Sequence, residues 1–401
     1  MTGLTRDGGA KPKLLRRMNA ALVLDALRGS DPMRVSDLVA ETGLSRPTVE
    51  AVADELTDVG WVAEVVSVAE RQRGRPARRL AFRPDAGYVL ALDIGEHTIR
   101  AAVGNLGGDI VHELREQLDG LDGRARIAVM RQISRRTLKG AHLKRDALLG
   151  ACVGCTGGID GKTGEVLFTG AFPGLEQIKL RSIMQHSLGC PVSVENDCNL
   201  AVLAERWRGA ATQADDVICI LASERMGAGI IIDGRLLRGH SGAAGEMAFL
   251  GAYEEAHGAE GIAYLVRKLA SEAVAAGADG ALRELAGGDP NRVDAEAVFA
   301  AARANDPVAT RVIEQSLQHA GRSIVAMALV VNPELIVIGG GVADAADIIV
   351  EPLQRQLIQM VRLPPRLAAS TLGDHGVLIG AIRNALDHVE TRMLDRIEDA
   401  A

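Results

Sequence analysis

Six arginines, with no acidic residue among them, fall between residues 71 and 83 of this 401-residue chain. Clustered guanidinium groups neutralise phosphates, and Arg is favoured electrostatically in a narrow minor groove of DNA. The cluster lies between two strand-like runs, Trp61–Val66 and Leu80–Phe82, and Gly-Arg-Pro would keep the tip of that hairpin narrow. We therefore predict a DNA-contacting wing that contains Arg71, Arg73, Gly74, Arg75 and Arg78.

Three helix-like segments precede this hairpin. Apolar spacing predicts a helix over residues 14–28, and a second, shorter helix with Ser36 as its N-cap. Gly43 can adopt the left-handed backbone of a sharp turn, and Ser45 is a good N-cap for a third helix. Two short helices joined by a glycine turn are typical of a helix-turn-helix, although a protein-interaction module shows the same pattern. The outward residues of the third helix, which we expect to contact DNA together with its first-turn proline, are Arg46, Pro47, Thr48 and Glu50.

Charge is distributed unevenly along the chain, whose net charge is −7. Residues 1–85 contain 14 Lys and Arg against 12 Asp and Glu, and the remainder contains 31 against 40. A mildly basic head on an acidic body is compatible with nucleic-acid binding by the head alone. We predict two domains, a DNA-binding winged helix-turn-helix over residues 1–85 and a larger domain over residues 86–401.

Several features of the chain favour the cytoplasm. Residues 1–13 are polar and do not form a signal peptide, and the apolar run Ile324–Val331 is too short to span a membrane. Five cysteines, an odd number, favour a reducing compartment. We expect Cys152 and Cys155 to pack in a strand; the alternative for Cys-x-x-Cys is a redox or metal motif.

The sequence of the body predicts two similar successions of strands and helices. The first begins with an apolar strand that ends in Asp93-Ile94-Gly95, and the second begins at Val217–Leu221. Each cycle has a glycine turn at the end of a strand. This repetition predicts a duplicated α/β fold with a cleft between two lobes.

Four sequence motifs in the body together resemble those of one protein family. DIGEHTIR, VENDCNLAVLAE, GAGIIIDGRLLRGHSGAAGE and NPELIVIGGGV occur in this order, and together they resemble the ROK family of repressors and sugar kinases. The resemblance implies an actin/hexokinase-like (ribonuclease H-like) duplicated domain preceded by a winged helix-turn-helix. For the regulators of the family it also implies a sugar-like effector and a homodimer or homotetramer.

In the kinases of this family, the resemblance makes Asp197 the position of the catalytic base and Asp93 the carboxylate on the metal side. The phosphate loops depart from the family pattern, because Glu96 and Glu224 stand where glycine-rich loops hold the polyphosphate. A carboxylate near a triphosphate opposes binding unless it is neutralised, and Glu224 has Arg225 beside it. We therefore predict a non-catalytic relative of the kinases with no cofactor.

The family's zinc site is also altered. By the resemblance, a histidine and three cysteines bind the metal, but Phe249 and Ile262 stand at two of these four positions. Neither side chain can ligate a metal, and Glu255 with His257 does not complete a site. We predict that the chain binds no metal.

The sugar pocket of the family is partly retained. The predicted effector contacts are Gly157, Asn196, Asp197, Glu246, Phe249 and Tyr264. Phe249 and Tyr264 either stack on a sugar face or fill volume, and Ala171 replaces a polar family residue. For Asn196, Asp197 and Glu246 the alternative is a role in folding alone.

These features lead to one hypothesis and two rivals. The sequence predicts a regulator, most simply a repressor of carbohydrate-related genes, that binds an inverted-repeat site in double-stranded DNA and responds to a carbohydrate-like effector. One rival is an active ATP-dependent sugar kinase with a DNA-binding head. The other is a DNA-binding dimer that responds to no effector.

Overall fold

A computed structural model describes residues 10–65, 78–118, 120–169, 174–176, 178–247 and 260–399. The head comprises three helices and a three-stranded antiparallel sheet in the order β1-β3-β2. Its elements are α1 (Ala10–Leu27), β1 (Met33–Arg34), α2 (Val35–Thr42), α3 (Arg46–Asp58), β2 (Val62–Val65) and β3 (Arg79–Phe82). The helix-turn-helix and the paired strands of the wing are therefore present as predicted.

Local chemistry explains most of the head's helix boundaries. Gly43 takes the left-handed conformation after α2, with φ of 67°, and the Ser45 side chain accepts a hydrogen bond from the Thr48 N–H. The prediction of Ser36 as the second N-cap is wrong, because the N-cap is Arg34, two residues earlier, and the helix begins at Val35. The cause is Asp37, whose carboxylate accepts the Arg34 N–H at 3.1 Å and so fixes the earlier start. The wing residues Arg71, Arg73, Gly74 and Arg75 lie outside the described residues.

The first lobe of the body contains a mixed five-stranded sheet in the order β10-β7-β4-β5-β6 and a two-stranded sheet, β8-β9. Its elements are β4 (Tyr88–Ile94), β5 (Thr98–Asn105), β6 (Ile110–Gln117), α4 (Gly123–Gly140), β7 (Leu148–Cys155), β8 (Gly158–Ile159), β9 (Val166–Phe168), α5 (Leu180–Leu188), β10 (Val192–Asn196) and α6 (Asp197–Arg208). The parallel strands β4, β7 and β10 bring Ile94, Cys155 and Asn196 to one edge. The carboxyl ends of parallel strands are the usual place for a ligand site in an α/β sheet.

The second lobe repeats this topology with the sheet order β13-β12-β11-β14-β15. Its strands and the helices around them are β11 (Val217–Leu221), β12 (Gly227–Ile232), β13 (Arg235–Leu236), α7 (Ile262–Ala275), α8 (Ala281–Leu285), α9 (Ala295–Arg303), α10 (Pro307–Val331), β14 (Leu335–Gly339), α11 (Ala346–Met360) and β15 (Arg366–Ala369). After β15, α12 (Gly376–Asp399) returns to pack on β4 and β7 of the first lobe. In each sheet three antiparallel strands are followed by two parallel ones. The predicted duplication is confirmed.

Two predictions from the sequence, on the cysteines and on membrane spans, can be compared with this fold. Cys152 and Cys155 are free and buried in β7, and burial raises the pKa of the Cys152 thiol to about 12. Both thiols therefore pack in the strand, as expected. Within the described part of the chain, no helix combines the length and the apolar character needed to cross a bilayer.

The last helix, α12, joins the two lobes and the head. It packs against α6, and Leu378 and Ile382 share one hydrophobic core with Val89 of β4 and with Leu24 of α1. An ion pair extends this contact, since Arg28, the residue after α1, pairs at 2.5 Å with Glu390 of α12. The head is thus attached to the body through the C-terminal helix as well as through the chain that connects β3 to β4.

Gly380 allows α12 to approach α6 closely. A Cβ at this position would lie 1.8 Å from the Leu200 carbonyl oxygen, whereas a Cβ at Gly376 in the same helix would contact nothing within 4 Å. We expect Gly380→Ala to lower the free energy of unfolding by about 1–3 kcal/mol, because the two backbones must separate. Gly376→Ala is the control and should leave it unchanged or raise it by up to about 1 kcal/mol. Urea unfolding measures both, and equal effects would contradict this account of the contact.

Candidate functional site

The site begins at the edge where the parallel strands of the first lobe end. Asp93 is near the end of β4, Thr156 follows β7, and Asp197 is the first residue of α6. The Thr156 hydroxyl donates to one Asp197 oxygen at 2.9 Å, and the other accepts the Cys198 N–H at 2.8 Å. Both oxygens are therefore fixed, so that Asp197 is held in a defined orientation at the cleft.

Asn196 is bound into the scaffold on both sides of its amide. Its Oδ1 accepts the Asn199 N–H at 3.0 Å, which caps α6, and its Nδ2 donates to the Gly157 carbonyl at 3.0 Å. Gly157 has φ of 102°, and a Cβ there would lie 2.1 Å from the Phe168 carbonyl oxygen, so glycine is required. The structure gives Asn196 and Gly157 clear roles in folding. Only one Nδ2 hydrogen of Asn196 remains for a ligand.

Glu195 is a member of the site that sequence reasoning missed. Its buried carboxylate accepts hydrogen bonds from Asn199 Nδ2 at 2.9 Å and from the Asn196 N–H at 3.0 Å. Arg238, in the loop that follows β13, donates its Nε to the same carboxylate at 2.7 Å. Because Arg238 belongs to the second lobe, this ion pair joins the two lobes. The sequence did contain a signal for this role. A glutamate at the end of a buried strand needs a partner, because a buried charge is unstable without one.

Three carboxyl groups, Asp93, Asp197 and Glu246, form what we call the carboxyl cluster, because the charge of Asp197 acts on both of the others. Burial, followed by the negative charge of Asp197, raises the pKa of Asp93 from 3.8 to about 7. Burial raises the pKa of Asp197, and burial together with Asp197 raises that of Glu246. Like charges that share a site oppose ionisation, so the cluster favours a ligand that donates hydrogen bonds.

The two glutamates of the altered phosphate loops are both paired with arginines. Arg267 of α7 holds Glu224 through two hydrogen bonds of 2.6 and 2.7 Å, and this pairing lowers the pKa of Glu224. Arg225 instead lies 3.5 Å from Glu96, across the cleft. Glu224 is therefore neutralised, but by Arg267 and not by its neighbour in sequence, Arg225. The guanidinium fork of Arg267 reaches both oxygens of Glu224, a geometry that stabilises a carboxylate strongly.

Of the two remaining predicted pocket residues, Tyr264 and Phe249, the structure describes only Tyr264. Tyr264 is on α7, where the cations of Arg267 and Lys268 lie 5.5 and 5.8 Å from its ring. It therefore stands beside the Glu224–Arg267 pair. Phe249 falls outside the described residues, as do Ala171, Glu255 and His257. Over the ranges that the structure describes, no group of three or more His, Cys, Asp or Glu is placed to hold a metal ion.

A second candidate site is the exposed start of α3 in the head. Arg46 is 72% exposed and pairs through its Nε with Glu50 at 2.9 Å. The Thr48 hydroxyl lies 2.8 Å from that of Ser45, and Pro47 stands in the first turn. Arg78, at the base of the wing, pairs with Asp54 of α3 and with Glu64 of β2. Arg78 thus braces the hairpin against α3, beside the surface formed by Arg46 and Thr48.

Comparisons with known protein families match two separate parts of the chain. The profile of the ROK family matches residues 89–388, and that of the MarR family matches residues 15–74. The first of these matches covers most of the body and the second most of the head.

Individual relatives include regulators and enzymes. The xylose repressor of Caldicellulosiruptor bescii is 24% identical over 390 residues, which are 92% of this chain and 95% of that protein. The glucokinase of Halalkalibacterium halodurans is 30% identical over 317 residues, which are 74% of this chain and 94% of that enzyme. A solved ROK family transcriptional regulator, a homologue of the E. coli MLC protein, superimposes with a TM-score of 0.78 at 23% identity over 96% of this chain and 99% of that one. The likeness confirms the predicted fold class.

The carboxyl cluster should make stability depend on pH. An acid whose pKa is higher in the folded than in the unfolded protein binds its proton more tightly when folded. The stability that Asp93 contributes is therefore present below its ordinary pKa of 3.8 and lost as the pH rises to about 7. We expect Asp93→Asn to be as stable as the parent at pH 4 and more stable by roughly 1–3 kcal/mol at pH 8. Urea unfolding at both pH values, with exposed Asp146→Asn as the control, measures this, and a gain of equal size at pH 4 would contradict it.

Proposed function

The chain belongs to the ROK family, and on that premise we propose that it is a sugar-responsive transcriptional repressor. The head, residues 1–85, binds double-stranded DNA, and the body, residues 86–401, binds a carbohydrate-like effector. The observation that carries this proposal is the combination of a winged head, whose α3 presents exposed Arg46, with a ROK body. Binding to chromosomal DNA also implies the cytoplasmic location that the cysteine count predicts.

DNA recognition divides between the helix and the wing. Arg46 and Thr48 stand at the start of α3, where a recognition helix reaches base edges in the major groove. The arginines at the tip of the wing add electrostatic affinity along the minor groove. Arg78 supports that wing from its base through Asp54 and Glu64. A symmetric dimer or tetramer presents two such heads, so the operator is an inverted repeat.

The body does not act as a kinase in this proposal. The ion pair of Arg225 with Glu96 crosses the cleft where a polyphosphate lies in the kinases. The guanidinium of Arg267 is hydrogen-bonded to Glu224. Both carboxylates are neutralised and no longer repel a polyphosphate by charge; instead, the paired side chains occupy the loops that hold the phosphates in the kinases. The rival, an active sugar kinase, is favoured by the 30% identity to a glucokinase and by the presence of Asp197.

The effector site is the carboxyl cluster. Carboxylates accept hydrogen bonds from sugar hydroxyls, and such charge-assisted bonds are stronger than neutral ones. The charge of Asp197 already raises the pKa of Asp93 and Glu246, and such an acidic cluster repels a phosphate monoester, so the effector is an uncharged sugar. Asp197, held by Thr156 and Cys198, is its principal ligand, and Glu246 is the second.

The DNA-binding role of α3 has a matched control in the body. Arg46 pairs with Glu50 and Arg355 pairs with Glu351, each an exposed pair four residues apart on a helix. Arg46→Ala should weaken binding to the preferred duplex by about 1–3 kcal/mol and relax its preference at one base pair in each half-site. Arg355→Ala should leave both unchanged. Selection from a random DNA library, followed by titration, measures this, and identical site preferences for all three proteins would overturn the assignment.

The effector role of the cluster is tested by replacing its acids. Asp197→Ala and Glu246→Ala should each weaken the response to the active sugar by roughly 10- to 150-fold, because each removes a charge-assisted hydrogen bond. DNA binding without the sugar should stay intact, and exposed Glu351→Ala is the control. A panel of uncharged sugars is screened by thermal shift and by release from DNA.

The parent protein should show no sugar-dependent ATP hydrolysis with Mg²⁺. Normal responses in both variants would favour an effector-independent dimer, and turnover lost in Asp197→Asn would favour the kinase.

A further inference from the structure

A partly open cavity of about 480 Å³ lies between the head and the body. The head supplies the end of α1, the turn that follows it and the end of β3, and the body supplies the turn between β5 and β6, the end of α6 and part of α12. Pockets of roughly 300–1,000 Å³ between domains are common sites for small molecules. This cavity is separate from the carboxyl cluster, because Asp197 begins α6 and stands about 15 Å along that helix from Trp207, which lines the cavity.

The walls of the cavity are largely apolar and aromatic. Leu27, Leu106 and Leu386 line it from the hydrophobic core that the head and the body share. Phe82 and Trp207 pack against the same core and add two aromatic rings to the walls. Aromatic rings favour a ring-shaped ligand, because stacked and edge-to-face contacts add to the gain from burial.

The charged side chains around the cavity already have partners. Arg383 pairs with Asp387 at 2.6 Å, and Arg208 lies 3.6 Å from Asp109. Both guanidinium groups also lie near the Trp207 ring, at 5.4 Å and 4.1 Å from its centroid respectively. A charged ligand would have to compete with one of these partners. The cavity therefore favours an uncharged ligand.

Arg28, the residue after α1, brings a hydrogen-bond donor to the cavity. Its Nη1 and Nη2 pair with Asp25 at 3.1 Å and with Glu390 at 2.5 Å. Its Nε is buried, and among the described residues it has no hydrogen-bond partner. A buried donor without an acceptor destabilises the fold, so a ligand that supplies an acceptor gains binding energy at this atom.

We propose that this cavity binds an uncharged aromatic compound whose carbonyl oxygen accepts the Arg28 Nε–H. Such a ligand contacts the head and the body at once, so it stabilises the arrangement in which the two domains pack as they do here. This inference goes beyond the proposed function, because it adds a second effector of a different chemical class. The sugar acts at the start of α6, and the aromatic compound acts at its end.

Calorimetry on the full chain, without DNA, tests the class of ligand. Coumarin is an uncharged aromatic lactone, and coumarin-3-carboxylate adds a negative charge to the same rings. Coumarin should bind at one site per chain, and the carboxylate should bind at least tenfold more weakly, because its charge would be buried without a free partner. Failure of coumarin to bind up to its solubility limit, or equal or tighter binding of the carboxylate, would overturn the proposal.

The hydrogen bond is tested by Arg28→Lys, which keeps a cation next to Glu390 but removes the Nε–H. Naphthalene has a similar two-ring shape and no carbonyl. The affinity of coumarin relative to naphthalene should fall about tenfold in Arg28→Lys, because only coumarin uses this donor. Arg355→Lys, at a position that is 64% exposed on α11, is the control and should keep the ratio of the parent. An unchanged ratio in Arg28→Lys would contradict the assignment of the donor.

A pair of matched substitutions in the head tests the location. Ser30 is exposed and lines the cavity, whereas Ser36 is exposed on α2, outside it. Ser30→Trp should obstruct the cavity and lower the affinity for coumarin at least tenfold, and Ser36→Trp should leave it unchanged. Equal affinities in the two variants, each with the melting temperature of the parent, would place the ligand elsewhere and overturn the proposal. Because no DNA is present, a chain that binds coumarin as expected but binds no DNA would contradict the proposed function and leave this site intact.

Discussion

The close packing of α12 on α6 is the contact on which the rest of the structure depends. Gly380 brings the α12 backbone against the Leu200 carbonyl, and buried Ser193 of β10 donates to Asn384 of α12 at 2.7 Å. α6 starts at Asp197, in the candidate effector site. α12 runs from this contact to Glu390, which pairs with Arg28 of the head. Two packed helices therefore connect the carboxyl cluster to α1 without a flexible segment between them.

The site itself is built at a cost in stability. Burial raises the pKa of Asp93, Asp197 and Glu246, the charge of Asp197 adds to the rise at the other two, and ionisation at neutral pH therefore destabilises the folded chain. Buried Glu195 is compensated by Arg238 from the other lobe, and Asn196 fixes the start of α6. Glu195 and Asn196 thus hold the scaffold, and the next residue, Asp197, faces the cleft. This short segment, at the end of β10 and the start of α6, serves both purposes, which is why the sequence alone left ligand binding and folding as alternatives.

The sequence predicted local features of the backbone better than ion pairs between residues that are distant in the chain. Gly43 and Ser45 were predicted correctly because a turn and a cap depend on neighbouring residues, and the duplicated lobes followed from strand ends that repeat. Ser36 was misassigned because a stronger local acceptor, Asp37, selected an earlier start. The partner of Glu224 could not be predicted, because Arg267 is distant in sequence and only the fold places it nearby. The Glu195–Arg238 pair was missed for the same reason.

The place of α12 in the fold has a consequence for how the chain is made. Domains generally fold in the order in which they leave the ribosome, the N-terminal one first. Here the head and β4 are synthesised early, yet part of their common core is Leu378 and Ile382 of the final helix. The part of the α1 surface that α12 covers has no native partner until residues 376–399 have been synthesised. A product truncated before α12 therefore leaves that apolar surface exposed.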